Sequence, residues 1–110
     1  MEKDLKIICE DLKVGYEMYQ LYCKLNNIGK KNIIVNYSKI DNIDALIKVR
    51  NFYKKYNFEE DLEEIEYALK AKLVEYKNYV KYCRSLSPIP LEPKYYSHIK
   101  DSINKIKLIM

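Results

Sequence analysis

A chain of 110 residues, 48% hydrophobic and 33% charged, leaves room for one small domain and argues against two. Its formal net charge of +4, from 20 Lys and Arg against 16 Asp and Glu, is too small an excess to single out nucleic acid as the partner. Two Gly, three Pro, no Trp and twelve Tyr point to long helices and exclude an all-β fold, which needs many turn residues.

From Glu2 to Ile28 the apolar residues recur at helical spacing. Ile7, Val14, Met18, Leu21, Leu25 and Ile28 form one stripe, and Leu5, Ile8, Leu12, Tyr16 and Tyr19 form a second beside it. The spacing predicts one helix with a wide apolar face, interrupted only by the helix-disfavouring Gly15 and closed by Gly29 as a left-handed cap. On a straight helix Cys9 and Cys23 would stand about 21 Å apart, too far to pair. With Cys83 they read as three reduced thiols that behave as small apolar side chains, and with only His98 to join them they are too few for a zinc site.

The β-branched run Ile33, Ile34 and Val35 has no partner strand and reads as an extended connector or a turn of helix. Ser38 or Asp41 then caps a second helix to about Tyr56, with Ile43, Leu46, Val49, Tyr53 and Tyr56 facing inward and Lys48, Arg50, Lys54 and Lys55 facing outward. Asn57 to Asp61 forms a turn, and the acids Asp61, Glu63 and Glu64 suit the positive end of a third helix. Leu62, Ile65, Leu69, Leu73, Tyr76, Val80 and Cys83 carry that helix until Pro88, Pro90 and Pro93 stop it. A last amphipathic segment, Tyr95 to Leu108, presents Ile99, Ile103 and Ile106 on one side. The fold class expected is all-α, an antiparallel three-helix bundle over residues 1–86 followed by a proline-rich linker and helical segment over 87–110.

Chemistry is sparse. His98 has no nucleophile placed beside it by the sequence, and two glycines fourteen residues apart cannot make a phosphate-binding loop. The acidic run from Glu59 to Glu64 reads as a solvated helix start. No run approaches the roughly 18 apolar residues of a membrane span, so a soluble protein is expected. The stretches NFYKKYNF and EYKNYVKYCR interleave Tyr with Lys, a pattern able to stack bases and contact phosphates. Tyr53, Tyr56 and Tyr76, however, fall on apolar stripes, which favours core or interface roles.

In the first helix Leu21 and Tyr22 are followed by Cys23 and Lys24. In the second, Arg50 is followed three residues later by Tyr53, and Asp61 then stands in the turn that opens the third. On these residues, on the interval from Leu21 to Arg50 and on the tail SPIPLEPKYYSHI, the chain resembles the LYR-motif family of small mitochondrial helical proteins. The tail is most similar to that of the LYR subunit of respiratory complex I. The family is named for a Leu-Tyr-Arg triplet, and here Cys23 stands where the family has arginine. The likeness spans about residues 14 to 97.

The resemblance implies an adaptor and not an enzyme. Such a protein binds mitochondrial acyl carrier protein, whose acyl chain enters between the adaptor's helices while its acidic helix docks on basic side chains. By this likeness Leu21, Tyr22, Cys23 and Lys24 would contact the partner, with Lys24 supplying the charge that Cys23 lacks. Lys48, Arg50, Lys54 and Lys55 would form the basic docking face, beside the aromatic Tyr53, and Ala45, Ala68 and Ala71 would leave room for the acyl chain. The adaptor would bind no cofactor directly, the 4′-phosphopantetheine arm arriving on the carrier protein. It would serve as an accessory subunit or assembly factor in the mitochondrial matrix, or on the matrix side of the inner membrane within a complex, with complex I first and the cysteine desulfurase of iron–sulfur cluster assembly second. The N-terminus carries Glu2, Asp4, Glu10 and Asp11, unlike a cleavable presequence. Three other readings remain open: an ordinary solvated basic face, a small helical nucleic-acid-associated protein, and a virus-encoded inhibitor working by surface complementarity.

Overall fold

The computed structural model describes residues 2–12, 16–26, 35–85 and 93–110. Every regular element among them is helical: α1 (Glu2–Asp11), α2 (Tyr16–Asn26), a single 3₁₀ turn (Tyr37–Lys39), α3 (Ile43–Lys55), α4 (Glu59–Ser85) and α5 (Pro93–Ile109). The protein is an all-α helical bundle whose chain divides into two compact units, Met1–Glu66 and Tyr67–Met110. None of the described helices is long and apolar enough to cross a membrane.

In the first unit, the single helix expected over Glu2–Ile28 is instead two, α1 and α2, which pack on each other. Leu12 turns out of α1, its N–H tightening onto the Cys9 carbonyl at 3.3 Å, and α2 begins at Tyr16. This accounts for the doubled apolar face. A straight helix could press only one stripe on a neighbour, whereas the two helices bury Ile8 and Leu12 together with Met18, Leu21 and Leu25. Cys9 and Cys23 therefore sit on separate helices, so the straight-helix separation does not apply, and neither they nor Cys83 form a disulfide. The closure at Gly29, the β-branched pair Ile33 and Ile34, and the linker from 87 to 92 lie outside the described residues.

The N-cap of α3 is Asn42, neither Ser38 nor Asp41. Its side chain accepts the Ala45 N–H at 3.1 Å, while the Ser38 hydroxyl turns to Asn36 within the 3₁₀ turn. At the other end Asn57 takes a left-handed conformation (φ 61°), and the Phe58 N–H reaches back to the Tyr53 carbonyl at 2.9 Å, the six-to-one bond of a Schellman cap. The apolar contact that accompanies this motif is present. The Phe58 ring stacks on Phe52 at 5.9 Å and meets Tyr53 edge-on at 6.0 Å. The Phe58 carbonyl then accepts the Leu62 N–H at 2.8 Å, so one residue closes α3 and opens α4.

In the second unit, the buried row of α4 reads Leu69, Lys72, Tyr76, Val80 and Cys83, with Leu73 at its margin. A lysine thus occupies a place in the row where periodicity pointed to Leu73. Its side chain is 3% exposed and has a partner. Helix α5 begins at Pro93, a first-turn position where the missing N–H costs nothing, and buries Ile99, Ile103 and Ile106 as the spacing predicts.

Candidate functional site

Lys48 and Lys55 of α3 meet α1 across a shallow groove. Helix α1 lies antiparallel to α3, since Lys55 pairs with Asp4 at 2.7 Å while Lys48, two turns earlier, pairs with Asp11, two turns later. Asp4 also accepts the Tyr56 hydroxyl at 2.7 Å. Between the two ion pairs lies a groove of about 290 Å³, with Ile7, Ile8 and Phe52 at its floor and Asp4, Lys48, Asn51 and Lys55 around it. Ile7 is half exposed there, a large apolar side chain left in water. The Lys55 and Tyr56 hydrogen bonds hold the Asp4 carboxyl below its usual range, and the same contacts raise the Lys55 ammonium and the Tyr56 hydroxyl. An apolar floor between cationic side chains suits a ligand that is itself part apolar and part anionic.

The remaining basic residues of α3 differ in their surroundings. Arg50 reaches Glu66 at 3.3 Å and the Asn51 side chain at 2.9 Å, with its own side chain only 11% exposed. Lys54 is exposed and has no acidic partner among the described residues. So the face that reads as uniformly basic in the sequence keeps one open cation among the described residues, Lys54, beside three shared with carboxylates.

A second cluster gathers the residues of the L-Y-C-K segment. Leu21 is fully buried, and Tyr22 and Cys23 are half-buried. The Lys24 ammonium lies 2.7 Å from Asp61 at the start of α4, donates to the Tyr37 hydroxyl at 3.3 Å, and sits 5.6 Å above the Tyr37 ring. The Tyr37 hydroxyl in turn pairs with that of Tyr53 at 2.9 Å. Burial opposes the charge on Lys24, but the Asp61 and Tyr37 contacts outweigh it and raise the ammonium above its ordinary value. Burial raises both phenols, Tyr53 most strongly. This chain of four side chains ties α2, the 3₁₀ turn, α3 and the start of α4 together in the first unit.

Tyr37 is the member that sequence reasoning missed. It lies in the connector after the β-branched run, off every helical stripe, and no spacing marks it. The alanines separate: Ala45 is buried in the first unit, Ala68 is buried on α4 in the second, and Ala71 is exposed. Ala71 points to solvent because it falls between the buried positions 69 and 72, so its small side chain opens no space between helices.

In comparisons with known proteins, no family model, no curated protein and no solved structure matches the chain.

Proposed function

We propose that the chain is a non-catalytic adaptor of the LYR type, which binds mitochondrial acyl carrier protein in the matrix and joins or assembles a larger complex, respiratory complex I first and the cysteine desulfurase second. The observation that supports this reading best is the α1/α3 groove. It combines an apolar floor with two lysines whose carboxylate partners, Asp4 and Asp11, belong to the adaptor itself. Both pairs are solvent-exposed, with side-chain accessibilities of 48% and 43% for Lys48 and Asp11 and 62% and 35% for Lys55 and Asp4. Exposed ion pairs contribute little to stability, so an acidic partner helix can exchange its own carboxylates for these at small cost. The groove's volume lies at the lower limit of small-molecule pockets, roughly 300 to 1,000 Å³. That suits the end of an acyl chain more than its whole length, with about 0.8 kcal/mol gained for each CH₂ buried.

The test is calorimetric titration of the purified chain with acyl carrier protein in its acylated and unacylated forms, beside mass spectrometry of a native pull-down for a 4′-phosphopantetheine arm. Tighter binding of the acylated form, weakened by Lys48→Glu with Lys55→Glu, is the expected result. Absence of binding by either form overturns the reading.

A further inference from the structure

The positive charge of the chain sits in one of its two units. Residues 67–110 carry nine Lys and Arg against three Asp and Glu, a net +6, while residues 1–66 carry eleven against thirteen, a net −2. Five of the nine are on α4, where Lys72 is buried and Lys70, Lys77, Lys81 and Arg84 are exposed. At about 100° per residue these four fall within about 60° of arc, in a single row about 21 Å long from Lys70 to Arg84. None of them forms an ion pair among the described residues. Glu75, the one acid of α4 in this unit, stands about 120° or more round the helix from each of them. The acids from Glu59 to Glu66 precede the row and belong to the first unit. The helix dipole favours cations only in the last turn, so it accounts for Arg84 and not for Lys70 or Lys77. Lys77 and Lys81, four apart, repel each other with no acid between them.

We infer that this row binds the phosphodiester backbone of a single-stranded nucleic acid. A strand presents its anions in a line, and neutralising them releases counterions, which supplies affinity without any apolar contact. Within the arc of the row residues 67–85 place no apolar side chain, Val74 standing at its edge. A protein partner would need aromatic or aliphatic anchors there, and a lipid surface would need an apolar face turned outward, whereas Leu69, Tyr76, Val80 and Cys83 are buried. A duplex groove would set a second backbone along the other flank of the helix, where Glu75 stands. Tyr67 is 77% exposed, one turn before Lys70 and about 60° round the helix from it, and offers a ring on which a base can stack. The stretch EYKNYVKYCR is thus divided by the fold. Lys77, Lys81 and Arg84 share the row, Tyr76 is buried, Tyr79 is half-buried, and Tyr82, though exposed, stands about 100° or more from every cation of the row.

Fluorescence anisotropy of a labelled oligouridylate of about twelve nucleotides, titrated with the full chain across a salt series, tests it. Four phosphate contacts predict that log K falls with log salt at a slope of about −3. Lys77→Glu with Lys81→Glu should weaken binding about tenfold or more and flatten the slope by about 1.4. Tyr67→Ala should weaken binding about fivefold and leave the slope unchanged. Lys3→Glu with Lys6→Glu makes the same change of net charge on α1, and Tyr82→Ala removes a tyrosine that lies off the row; both should bind as the wild type does. All these positions are exposed, and unchanged circular dichroism will verify that the variants fold. No binding at low salt, an equal loss in the α1 variant, or a Tyr82→Ala loss matching that of Tyr67→Ala would each overturn the inference. So would displacement of the probe by polyglutamate or by phosphatidylserine vesicles as effective, at equal anion concentration, as displacement by unlabelled oligouridylate. None of these measurements involves the carrier protein, so this inference and the reading of the α1/α3 groove fail separately.

Discussion

Replacing Tyr37 by Phe removes one oxygen from the centre of the Lys24, Tyr37 and Tyr53 chain, and the consequence follows from who loses a partner. Tyr37 and Tyr53 are 4% and 3% exposed, and their hydroxyls, 2.9 Å apart, are the pair that closes the chain on α3. In Tyr37→Phe the Tyr53 hydroxyl stays buried without its one partner among the described residues, at a cost of about 1–3 kcal/mol. Lys24 loses an acceptor but keeps Asp61 at 2.7 Å, so its share is smaller. The total expected is about 2–3 kcal/mol. Tyr53→Phe removes the other end of the same bond and leaves the Tyr37 hydroxyl still accepting from Lys24, so it should cost only about 1 kcal/mol.

The double variant leaves no buried orphan. Its cost should fall short of the sum of the two single variants by about 1 kcal/mol or more. Urea unfolding followed by circular dichroism gives the three differences, and thermal unfolding should move by roughly 4–8 °C for each kcal/mol in a unit of this size. Strict additivity, or a Tyr53→Phe cost equal to or larger than that of Tyr37→Phe, would refute the assignment of Tyr37 as the hub.

Asp61→Asn should reveal itself through pH. The folded-state pKa of Lys24 is raised, so the pair's stabilisation is complete below the ordinary lysine value near 10.5 and is lost as pH rises through the folded value. The stability difference between wild type and Asp61→Asn should be level from neutral pH to about 10 and shrink above it, and a difference that is flat throughout would contradict the pairing. The left-handed cap at Asn57 predicts that Asn57→Val costs about 1–2 kcal/mol while Asn57→Gly is nearly neutral, as urea midpoints will show. Asn42→Ala should destabilise by about 1 kcal/mol through loss of the α3 cap, with Asn42→Asp retaining it in the same assay.

Much of the fold was legible because it is local. Helices α3, α4 and α5 follow from apolar residues at three- and four-residue steps, but the turn expected over Asn57 to Asp61 is shorter, because the Phe58 carbonyl already accepts the Leu62 N–H and α4 begins at Glu59. The all-α class follows from the scarcity of Gly and Pro. Where the reading departed from the structure, the deciding interaction was not local. The apolar spacing carries on from α1 into α2, and the packing of the two helices on one another distinguishes them from the single helix that the spacing predicts. Ser38, Asp41 and Asn42 are all good caps by residue type, and the choice among them rests on which side chain meets the Ala45 N–H. Lys72 entered the buried row of α4 because periodicity counts only apolar residues, whereas a long polar side chain with a partner can occupy the same position.

The candidate site divides in the same way. The composition and order of the basic residues on α3 are sequence properties, as is the L-Y-C-K segment. That Lys48 and Lys55 share their charge with Asp11 and Asp4, that Lys24 meets Asp61, and that Tyr37 joins Lys24 to Tyr53 are facts of tertiary structure. The partners in these contacts stand between 13 and 51 positions apart in the chain. A helical pattern specifies which face a side chain occupies, because 3.6 residues per turn is a property of the backbone. It cannot specify what lies opposite, because that depends on how the helices pack, and here α1 and α2 are separate helices within a stretch whose spacing predicts one.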